Sequence, residues 1–319
     1  NIHDIRATGF GDRLVGSAGN NRFWGLGGND TIDGRDGTDS VHYSDDTLGG
    51  GTAGVVLNLA TGTATDGYGD TDRLINIEDA FGSGSNDNFT GNAVSNRLEG
   101  LEGNDTLDGG FGNDILLGGQ GNDHVIGGGN DDELWGNAGN DTLDGGAGAG
   151  DLVQYRDATA AVIINLETGS GSDGLGGTDT ILNVENVHGS DLGDRLTGNG
   201  LLNRLSGFEG NDTISGGGGN DILLGGDGND SILGGDGNDE IWGEAGADTI
   251  DGGGGAGDLL RYRNSASGIR ADLLAGTVRD GFGETDRVSN VEQVHGSDFN
   301  DFLQGSDAAN TLLGFVIDR

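Results

Sequence analysis

Aspartate recurs along this chain at intervals of nine residues, each time just after a group of glycines. One copy, residues 118–126, reads GGQGNDHVI, and the copy before it, residues 109–117, reads GGFGNDILL. Glycine permits tight turns, and in such a turn the backbone carbonyl oxygens stay uncovered. Carboxylate and carbonyl oxygens are the hard ligands that Ca²⁺ prefers, at about 2.3–2.6 Å. The spacing therefore predicts a calcium ligand at the sixth position of each nonapeptide.

Two nonapeptides are predicted to make one coil of a flattened solenoid, so nonapeptides two apart stack at the inter-strand spacing of about 4.8 Å. One Ca²⁺ can then lie between two stacked loops and take an aspartate from each, as in the pairs Asp105–Asp123 and Asp123–Asp141. Asn21 is expected to pair with Asp39 in the same way. Counting such pairs predicts about a dozen Ca²⁺ ions. The predicted metal ligands are Asp12, Asp30, Asp39, Asp87, Asp105, Asp114, Asp123, Asp132, Asp141, Asp194, Asp212, Asp221, Asp230, Asp239, Asp248 and Asp301.

The same nonapeptide predicts the elements that must position these aspartates. Glycine at the first, second and fourth positions allows positive φ and close approach of neighbouring backbones. Positions seven to nine should form a very short strand, with the aliphatic residue at position eight pointing inward. No 3.6-residue pattern extends beyond a turn, so essentially no helix is predicted. The predicted core residues are Leu107, Leu116, Val125, Leu134 and Leu143 in one run, and Leu205, Ile214, Leu223, Ile232, Ile241 and Ile250 in another.

Connecting segments with short alternating apolar runs separate blocks of nonapeptides, and they are predicted to be strands and turns. A second period relates Trp135 to Trp242 and Tyr155 to Tyr262, both pairs being 107 residues apart. Both ends of the chain fall within a repeat, so the parent protein is expected to be longer. The predicted divisions are the tail of a preceding connecting segment at 1–6, a short repeat block at 7–42, connecting strands at 43–81, a repeat block at 82–153, connecting strands at 154–188, a repeat block at 189–260, connecting strands at 261–295, and the start of a further block at 296–319.

These nonapeptides resemble the RTX (repeats-in-toxin) calcium-binding β-roll family with its hemolysin-type repeats, a known repeat signature. The resemblance covers most of the chain. It implies an all-β, right-handed parallel β-roll or β-helix solenoid built from nonapeptide repeats, with strand-rich connecting segments. It also implies export by type I secretion and folding when the chain meets extracellular calcium.

Several copies depart from the pattern. Asparagine replaces the metal aspartate at Asn96, Asn203 and Asn310, each near the start of a block. The last nonapeptide of two blocks shifts its aspartate by one residue, to Asp151 and Asp258. We expect weaker or absent sites at all five positions, and a break in the roll at the two shifted ones.

The amino-acid composition limits the classes of partner that the chain is expected to bind. The net charge is −39, all fifteen basic residues are Arg, and there is no Cys. Such a charge disfavours nucleic acid and anionic membranes and suits divalent cations. No apolar run approaches the roughly 18 residues of a membrane span, so membrane insertion is not expected.

The sequence gives little support to a catalytic function. A phosphate-binding P-loop needs a Lys, which the chain lacks, and no Gly-x-Ser-x-Gly nucleophile elbow occurs. Acidic residues are so frequent that their proximity carries no catalytic information. The chain is therefore predicted not to be an enzyme. None of the histidines forms the His-Glu-x-x-His zinc motif, and His188 and His295 are expected at the surface or at strand ends; the five are His3, His42, His124, His188 and His295.

Trp24, Trp135 and Trp242 fall at the ninth position of matching nonapeptides, which is expected to face outward. Packing where the roll meets the next segment is the favoured role, and contact with a sugar or partner protein is the alternative. Ice binding is rejected because the third position varies irregularly, from Glu102 to Phe111 to Gln120.

The sequence thus predicts an extracellular or cell-surface, calcium-binding structural or adhesive segment that stiffens on binding Ca²⁺. One alternative is an accessory secretion-and-folding module of a larger secreted enzyme, such as a protease, lipase or alginate epimerase. Another is a subunit of a self-assembling filament or surface layer, since open solenoid ends can stack. Besides calcium, the candidate partners are other copies of the chain and surface polysaccharide.

Overall fold

The computed structural model describes residues 3–46 and 50–314. The outermost residues of the predicted first and last segments, and residues 47–49 of the segment 43–81, lie outside this range. The chain divides into two compact units, one comprising Asn1–Gln154 with Leu175–Val184 and the other Tyr155–Gly174 with Glu185–Arg319. The regular elements described in both units are β-strands, which confirms the predicted all-β class.

The first unit contains eighteen of the strands, most of them three or six residues long. They are β1 (Asp4–Arg6), β2 (Arg13–Val15), β3 (Arg22–Trp24), β4 (Thr31–Asp33), β5 (Ser40–His42), β6 (Val56–Asn58), β7 (Thr63–Thr65), β8 (Thr71–Ile75), β9 (Asp79–Phe81), β10 (Asn88–Asn92), β11 (Arg97–Glu102), β12 (Thr106–Phe111), β13 (Ile115–Gln120), β14 (His124–Gly129), β15 (Glu133–Ala138), β16 (Thr142–Ala147), β17 (Leu152–Gln154) and β20 (Thr178–Leu182).

The second unit repeats the same kinds of strand. They are β18 (Ile163–Asn165), β19 (Ser170–Ser172), β21 (Asn186–His188), β22 (Arg195–Thr197), β23 (Arg204–Glu209), β24 (Thr213–Gly218), β25 (Ile222–Asp227), β26 (Ser231–Asp236), β27 (Glu240–Ala245), β28 (Thr249–Gly254), β29 (Leu259–Arg261), β30 (Arg270–Asp272), β31 (Thr277–Arg279), β32 (Thr285–Ser289), β33 (Gln293–His295), β34 (Phe302–Gln304) and β35 (Thr311–Leu313).

The strand register gives the coil length. Within the blocks, strands pair in parallel with residues 18 positions away, for example Leu98 with Leu116 on one sheet and Leu107 with Val125 on the other. Successive nonapeptides therefore alternate between two sheets, and two nonapeptides complete one coil. Each unit is a parallel β-solenoid, as predicted.

The core lies between the two sheets of each unit. The aliphatic residue at position eight of every nonapeptide in the predicted runs is at most 2% exposed. These residues stack on their equivalents one coil away, so each coil buries its neighbour's apolar face. The predicted core residues are thereby confirmed.

The strands inside the two long blocks, 82–153 and 189–260, are longer than predicted. Strand β12, for example, has six residues, because it continues from positions seven to nine through the two glycines of the next nonapeptide. Gly110 in β12 pairs with Gly128 in β14, so the glycine backbone takes part in the sheet. The strands of the short block 7–42, those at block edges and those in the connecting segments keep the predicted three residues or have five.

The fourth-position glycine is required by close packing of coils. Gly121 has φ +134°, and a Cβ placed on it would overlap the carbonyl oxygen of Gly103 one coil earlier. A side chain there would separate the loops that carry the aspartates.

The connecting segments are built into the same sheets. In the first unit β6, β7 and β8 form an antiparallel meander. Its outer strands pair in parallel with the repeat strands β10 and β4. On the other sheet, the single strand β9 lies between β5 and β11. The meander of β30, β31 and β32 does the same between β34 and β28 in the second unit.

Candidate calcium sites

The predicted aspartates form rows that run from coil to coil. The Oδ1 atom of Asp123 accepts a hydrogen bond of 2.7 Å from the backbone N–H of Asp105, one coil earlier. Asp141 Oδ1 accepts in the same way from Asp123 N–H, at 2.8 Å. The structure thus places next to each other the residues that the sequence paired. The same bond joins Asp12 to Asp30, Asn21 to Asp39, Asp87 to Asp105, Asp114 to Asp132, Asp194 to Asp212, Asp212 to Asp230, Asp221 to Asp239, and Asp230 to Asp248.

The second carboxylate oxygen of these residues has a different environment. It is buried and has no hydrogen-bond partner, which is costly for a charged group unless a counter-ion balances it. The aspartates whose Oδ2 atom is in this state are Asp30, Asp39, Asp105, Asp114, Asp123, Asp132, Asp212, Asp221, Asp230, Asp239, Asp248, Asp258 and Asp301.

Each such oxygen faces a space that a glycine keeps open. A Cβ on Gly127 would lie 2.5 Å from Asp132 Oδ2 and 2.6 Å from the carbonyl oxygen of Gly145 in the next coil. A carboxylate oxygen and a carbonyl oxygen therefore converge beside the bare glycine. This orphaned, all-oxygen donor set fits a hard divalent cation such as Ca²⁺.

Burial shifts the acidity of the row aspartates. Loss of solvation raises the pKa of Asp105, Asp132, Asp230 and Asp248 to about 7 each, and that of Asp123 to about 6. The backbone N–H that each accepts works in the opposite direction. A bound cation would favour the ionised form and reverse these shifts.

Each site must use few side chains. Over residues 3–46 and 50–314, no group of three or more Asp, Glu or His side chains is placed to hold a metal ion. The geometry instead offers carboxylates from two neighbouring coils together with backbone carbonyls. Ca²⁺ takes six to eight oxygens, and backbone carbonyls are normal members of that set.

Four predicted ligands at block starts differ from the rest. Both carboxylate oxygens of Asp87 are hydrogen-bonded, Oδ2 to the N–H of Ser83 and Oδ1 to its hydroxyl and to Val55 N–H. Asp194 has the equivalent bonds to Ser190 and Val162. Oδ2 of the half-buried Asp12 accepts from the N–H and hydroxyl of Thr8, and its pKa is lowered. Oδ1 of Asp301 accepts from Ser297 Oγ and Ile269 N–H. In Asp12, Asp87 and Asp194, protein donors thus occupy the Oδ2 oxygen that the mid-block aspartates leave available. Asp301 keeps its Oδ2 without a partner and differs only in the additional donors to Oδ1.

The roll does not break at the shifted aspartates, contrary to expectation. Asp151 Oδ1 accepts from Asp132 N–H at 2.8 Å and Asp258 Oδ1 from Asp239 N–H at 2.9 Å, as in the regular copies. Strand β17 still pairs with β15, because the extra residue is accommodated in the loop before the aspartate. Both residues belong to the rows, although the sequence prediction left them out of the ligands.

The rows also take in acidic residues of the connecting segments, which the sequence prediction missed. Asp72 accepts from Asp30 N–H at 2.9 Å, and Asp286 from Asp248 N–H at 3.1 Å. Their Oδ2 atoms accept hydrogen bonds from the buried hydroxyls of Tyr43 and Tyr262. A usable signal was present: most row residues stand two positions before a buried apolar residue, as Asp72 does before Leu74.

The block-start asparagines carry a hydrogen-bond donor where the repeats carry a charge. Asn96 Nδ2 donates to the carbonyl oxygen of Glu78 at 2.7 Å, and Asn203 Nδ2 to that of Glu185 at 3.0 Å. An amide group that donates here adds no negative charge for a cation. We therefore still predict weaker calcium sites at the asparagines, because the amide carries no charge.

The aromatic residues of the ninth position are half-buried on the outer face of one sheet. Trp24 stacks on His42 with ring centroids 4.6 Å apart, and His42 stacks on Phe81 at 4.2 Å. Trp135 and Trp242 donate their indole N–H groups to Glu133 and Glu240. His188 and His295, also half-buried, end strands β21 and β33, where the sequence placed them.

Comparison with known proteins agrees with this geometry. A family model of the RTX calcium-binding nonapeptide repeat matches more than half of the chain, at residues 6–41, 81–116, 90–125, 117–152, 188–223, 224–259 and 291–315. A search of curated proteins found no match. Among the described residues, none of the elements is a helix that could cross a membrane.

Proposed function

We propose that this chain, which belongs to the family of RTX calcium-binding nonapeptide-repeat proteins, is a structural or adhesive segment of a secreted protein that folds and stiffens when it binds extracellular Ca²⁺. The observation that carries the proposal is the pair of rows of buried Oδ2 atoms without hydrogen-bond partners. In this proposal the chain has no catalytic centre of its own.

The charge of the chain supports folding on calcium. With a net charge of −39, coils whose aspartates stack one above the other repel one another when no cation is present. Each Ca²⁺ placed between two coils adds two positive charges at the point of closest approach. Because Ca²⁺ binds the folded loops and not the open chain, its binding free energy becomes folding free energy.

Stiffening would follow from the solenoid. Each coil contacts mainly the coils before and after it, so stability is approximately a sum of neighbour interfaces. A Ca²⁺ shared by two coils strengthens that interface directly. The segment would then pass from a flexible, exportable chain inside the cell to ordered solenoid coils outside it.

Two other functions fit the same calcium chemistry. The chain could be the secretion-and-folding module of a larger exported enzyme, or a subunit that assembles with copies of itself. A catalytic domain elsewhere in the parent protein would favour the first, and further 107-residue units would favour the structural role. Surface polysaccharide and a second copy of the chain are the proposed partners besides calcium.

The direct experiment is circular dichroism during a calcium titration, followed by EGTA. We expect β-structure to form only with Ca²⁺ and to disappear when EGTA removes it. A matched titration with Mg²⁺ should have little effect, because Mg²⁺ demands a rigid octahedral site and loses its water reluctantly. Full β-structure in EGTA, or an equal response to Mg²⁺, would refute calcium-dependent folding.

A further inference from the structure

Two connecting segments each contribute a glutamate to one of the aspartate rows of their unit. The corner that carries the glutamate has three residues, Asn76-Ile77-Glu78 in one segment and Asn290-Val291-Glu292 in the other. The equivalent stretch of a nonapeptide, from its first glycine to its aspartate, has six residues. Strand pairing fixes the register, since Asp79 pairs with Ser40 and Gln293 with Leu259. Glu78 thus occupies the place of Asp39 in the next coil, and Glu292 that of Asp258.

The glutamates repeat the hydrogen bond that defines the aspartate rows. Glu78 Oε2 accepts from the backbone N–H of Asp39 at 2.9 Å, and Glu292 Oε2 from that of Asp258 at 3.1 Å. The shorter corner places the backbone differently, and the additional methylene of glutamate restores the reach of the carboxylate. The other carboxylate oxygen of each glutamate is left for a further ligand.

The preceding coil supplies a carboxylate oxygen and the corner itself supplies a carbonyl oxygen. Asp39 and Asp258 are 0% and 1% exposed, and their Oδ2 atoms have no hydrogen-bond partner. A Cβ on Gly252 would lie 2.9 Å from Asp258 Oδ2 and would overlap the carbonyl oxygen of Asn290. A Cβ on Gly34 would likewise meet Asp39 Oδ2 and the carbonyl oxygen of Asn76.

The asparagine of each corner holds that carbonyl in position. Asn76 and Asn290 have φ values of +51° and +49°, a left-handed conformation that asparagine tolerates better than most residues. Their carbonyl oxygens meet the same glycine position as the Gly145 carbonyl oxygen does in the middle of a block. The corner therefore reproduces the repeat's donor set with a different sequence.

We propose that Glu78 and Glu292 are calcium ligands, each sharing one Ca²⁺ with the preceding aspartate and with the carbonyl oxygen of the corner asparagine. The proposal rests on calcium binding by the rows, and adds two sites that no nonapeptide contains. In the first unit the run of charged row residues ends at this site, because the next member, Asn96, is uncharged and donates its amide to Glu78 O. Each glutamate is the last charged ligand of its run.

The test is the number of Ca²⁺ ions bound per chain after equilibrium dialysis, measured by atomic emission. The variant Glu78→Gln/Glu292→Gln should bind two fewer ions than the native chain. Glu78→Asp/Glu292→Asp should also lose them, because its carboxylates are one methylene too short. The control Glu102→Gln/Glu284→Gln removes the same charge at exposed positions of β11 and of the connecting segment 261–295 and should keep the full number.

An unchanged number of ions in the Glu78→Gln/Glu292→Gln variant would overturn the proposal. If that variant does not fold in calcium, anomalous scattering from crystals of the native chain decides. It should show a calcium peak between Asp258 Oδ2 and the Glu292 carboxylate. Peaks between Asp221 and Asp239 without one at Glu292 would overturn this inference and leave the proposed function standing, whereas a native chain that binds no calcium would overturn both.

Discussion

At the scale of the residue, the row aspartates divide two tasks between their two oxygens. Oδ1 of Asp123 accepts the backbone N–H of Asp105 and so links two coils. Oδ2 of the same residue is buried without a hydrogen-bond partner, beside the bare Gly118. The first oxygen fixes the position of the second. A nonapeptide can therefore present a ligand from a side chain that has little freedom to turn away.

The change Asp123→Asn separates these tasks, because the amide keeps the Oδ1 acceptor and removes the charge. Asp123 lies between Asp105 and Asp141, so two neighbouring sites should be weakened. We expect the calcium midpoint of folding to rise roughly tenfold, equivalent to about 1.4 kcal/mol, with fewer ions bound. Circular dichroism in calcium buffers measures the midpoint.

The control is Asp108→Asn, which removes one charge at the ninth position, outside the rows. Its midpoint should stay close to that of the native chain. Equal shifts for the two variants would mean that net charge and not ligation sets calcium affinity.

The raised pKa values predict how pH acts on the calcium-free chain. Burial brings the pKa of Asp105 and Asp248 to about 7, above the value of 3.8 for the free side chain. A group whose folded pKa is raised stabilises the fold when protonated, and this contribution is lost as pH rises through the folded pKa. In EGTA, the chain should therefore be unfolded at pH 8, and acidification towards about pH 4.5 should favour the folded state. Circular dichroism in EGTA across that range would contradict this if β-structure did not increase on acidification.

At the scale of the element, the sequence predicted the strands, the two-nonapeptide coil and the core well. Those features repeat strictly, and each follows from glycine turns and one aliphatic residue per strand. The prediction failed where it inferred the place of an aspartate from its distance to the preceding glycines. Asp151 and Asp258 keep their rows because the strand residues Val153 and Leu260 fix the register by entering the core. Loop length can vary by one residue without moving the aspartate.

Glycine at the fourth position is expected to be indispensable. Gly228 has φ +145°, and a Cβ there would overlap the carbonyl oxygen of Gly210. Gly228→Ala should cost about 3 kcal/mol or more, since backbone cannot move aside in a packed coil. Gly218→Ala is the matched control, because the nearest atom to its Cβ would be 3.8 Å away. Thermal unfolding in calcium should show a large drop in Tm for the first variant and little change for the second.

The connecting segments depend on a buried tyrosine. Tyr262 is 2% exposed, and its hydroxyl donates to Asp286 Oδ2 at 2.6 Å. Removing that hydroxyl leaves a buried carboxylate oxygen with one partner fewer, which typically costs about 1–3 kcal/mol. Tyr262→Phe should lower the free energy of unfolding in calcium by that amount, measured by urea denaturation.

Tyr68→Phe is the matched control for that change. Tyr68 is 36% exposed and lies in the equivalent meander of the first unit, between β7 and β8. A loss of stability as large in this variant would show that the Asp286 hydrogen bond is not the cause.

At the scale of the whole molecule, the chain has few means of folding without cations. Only 32% of its residues are hydrophobic, 71 are glycines, and the net charge is −39. Glycine raises the entropy cost of ordering, and like charges oppose the stacking of coils. The apolar core is one residue deep in each strand. Calcium between the coils would remove the electrostatic obstacle and leave that narrow core sufficient.

Amide hydrogen exchange with and without calcium tests this account most directly. The N–H groups of Asp87, Asp105 and Asp194 donate to row carboxylates one coil away, so they report on the contact between coils. In Ca²⁺ we predict slow exchange at these amides together with the adjoining strands, and in EGTA exchange near the rate of an unfolded chain. Equal protection in both conditions would contradict the claim that calcium in the aspartate rows holds the coils together.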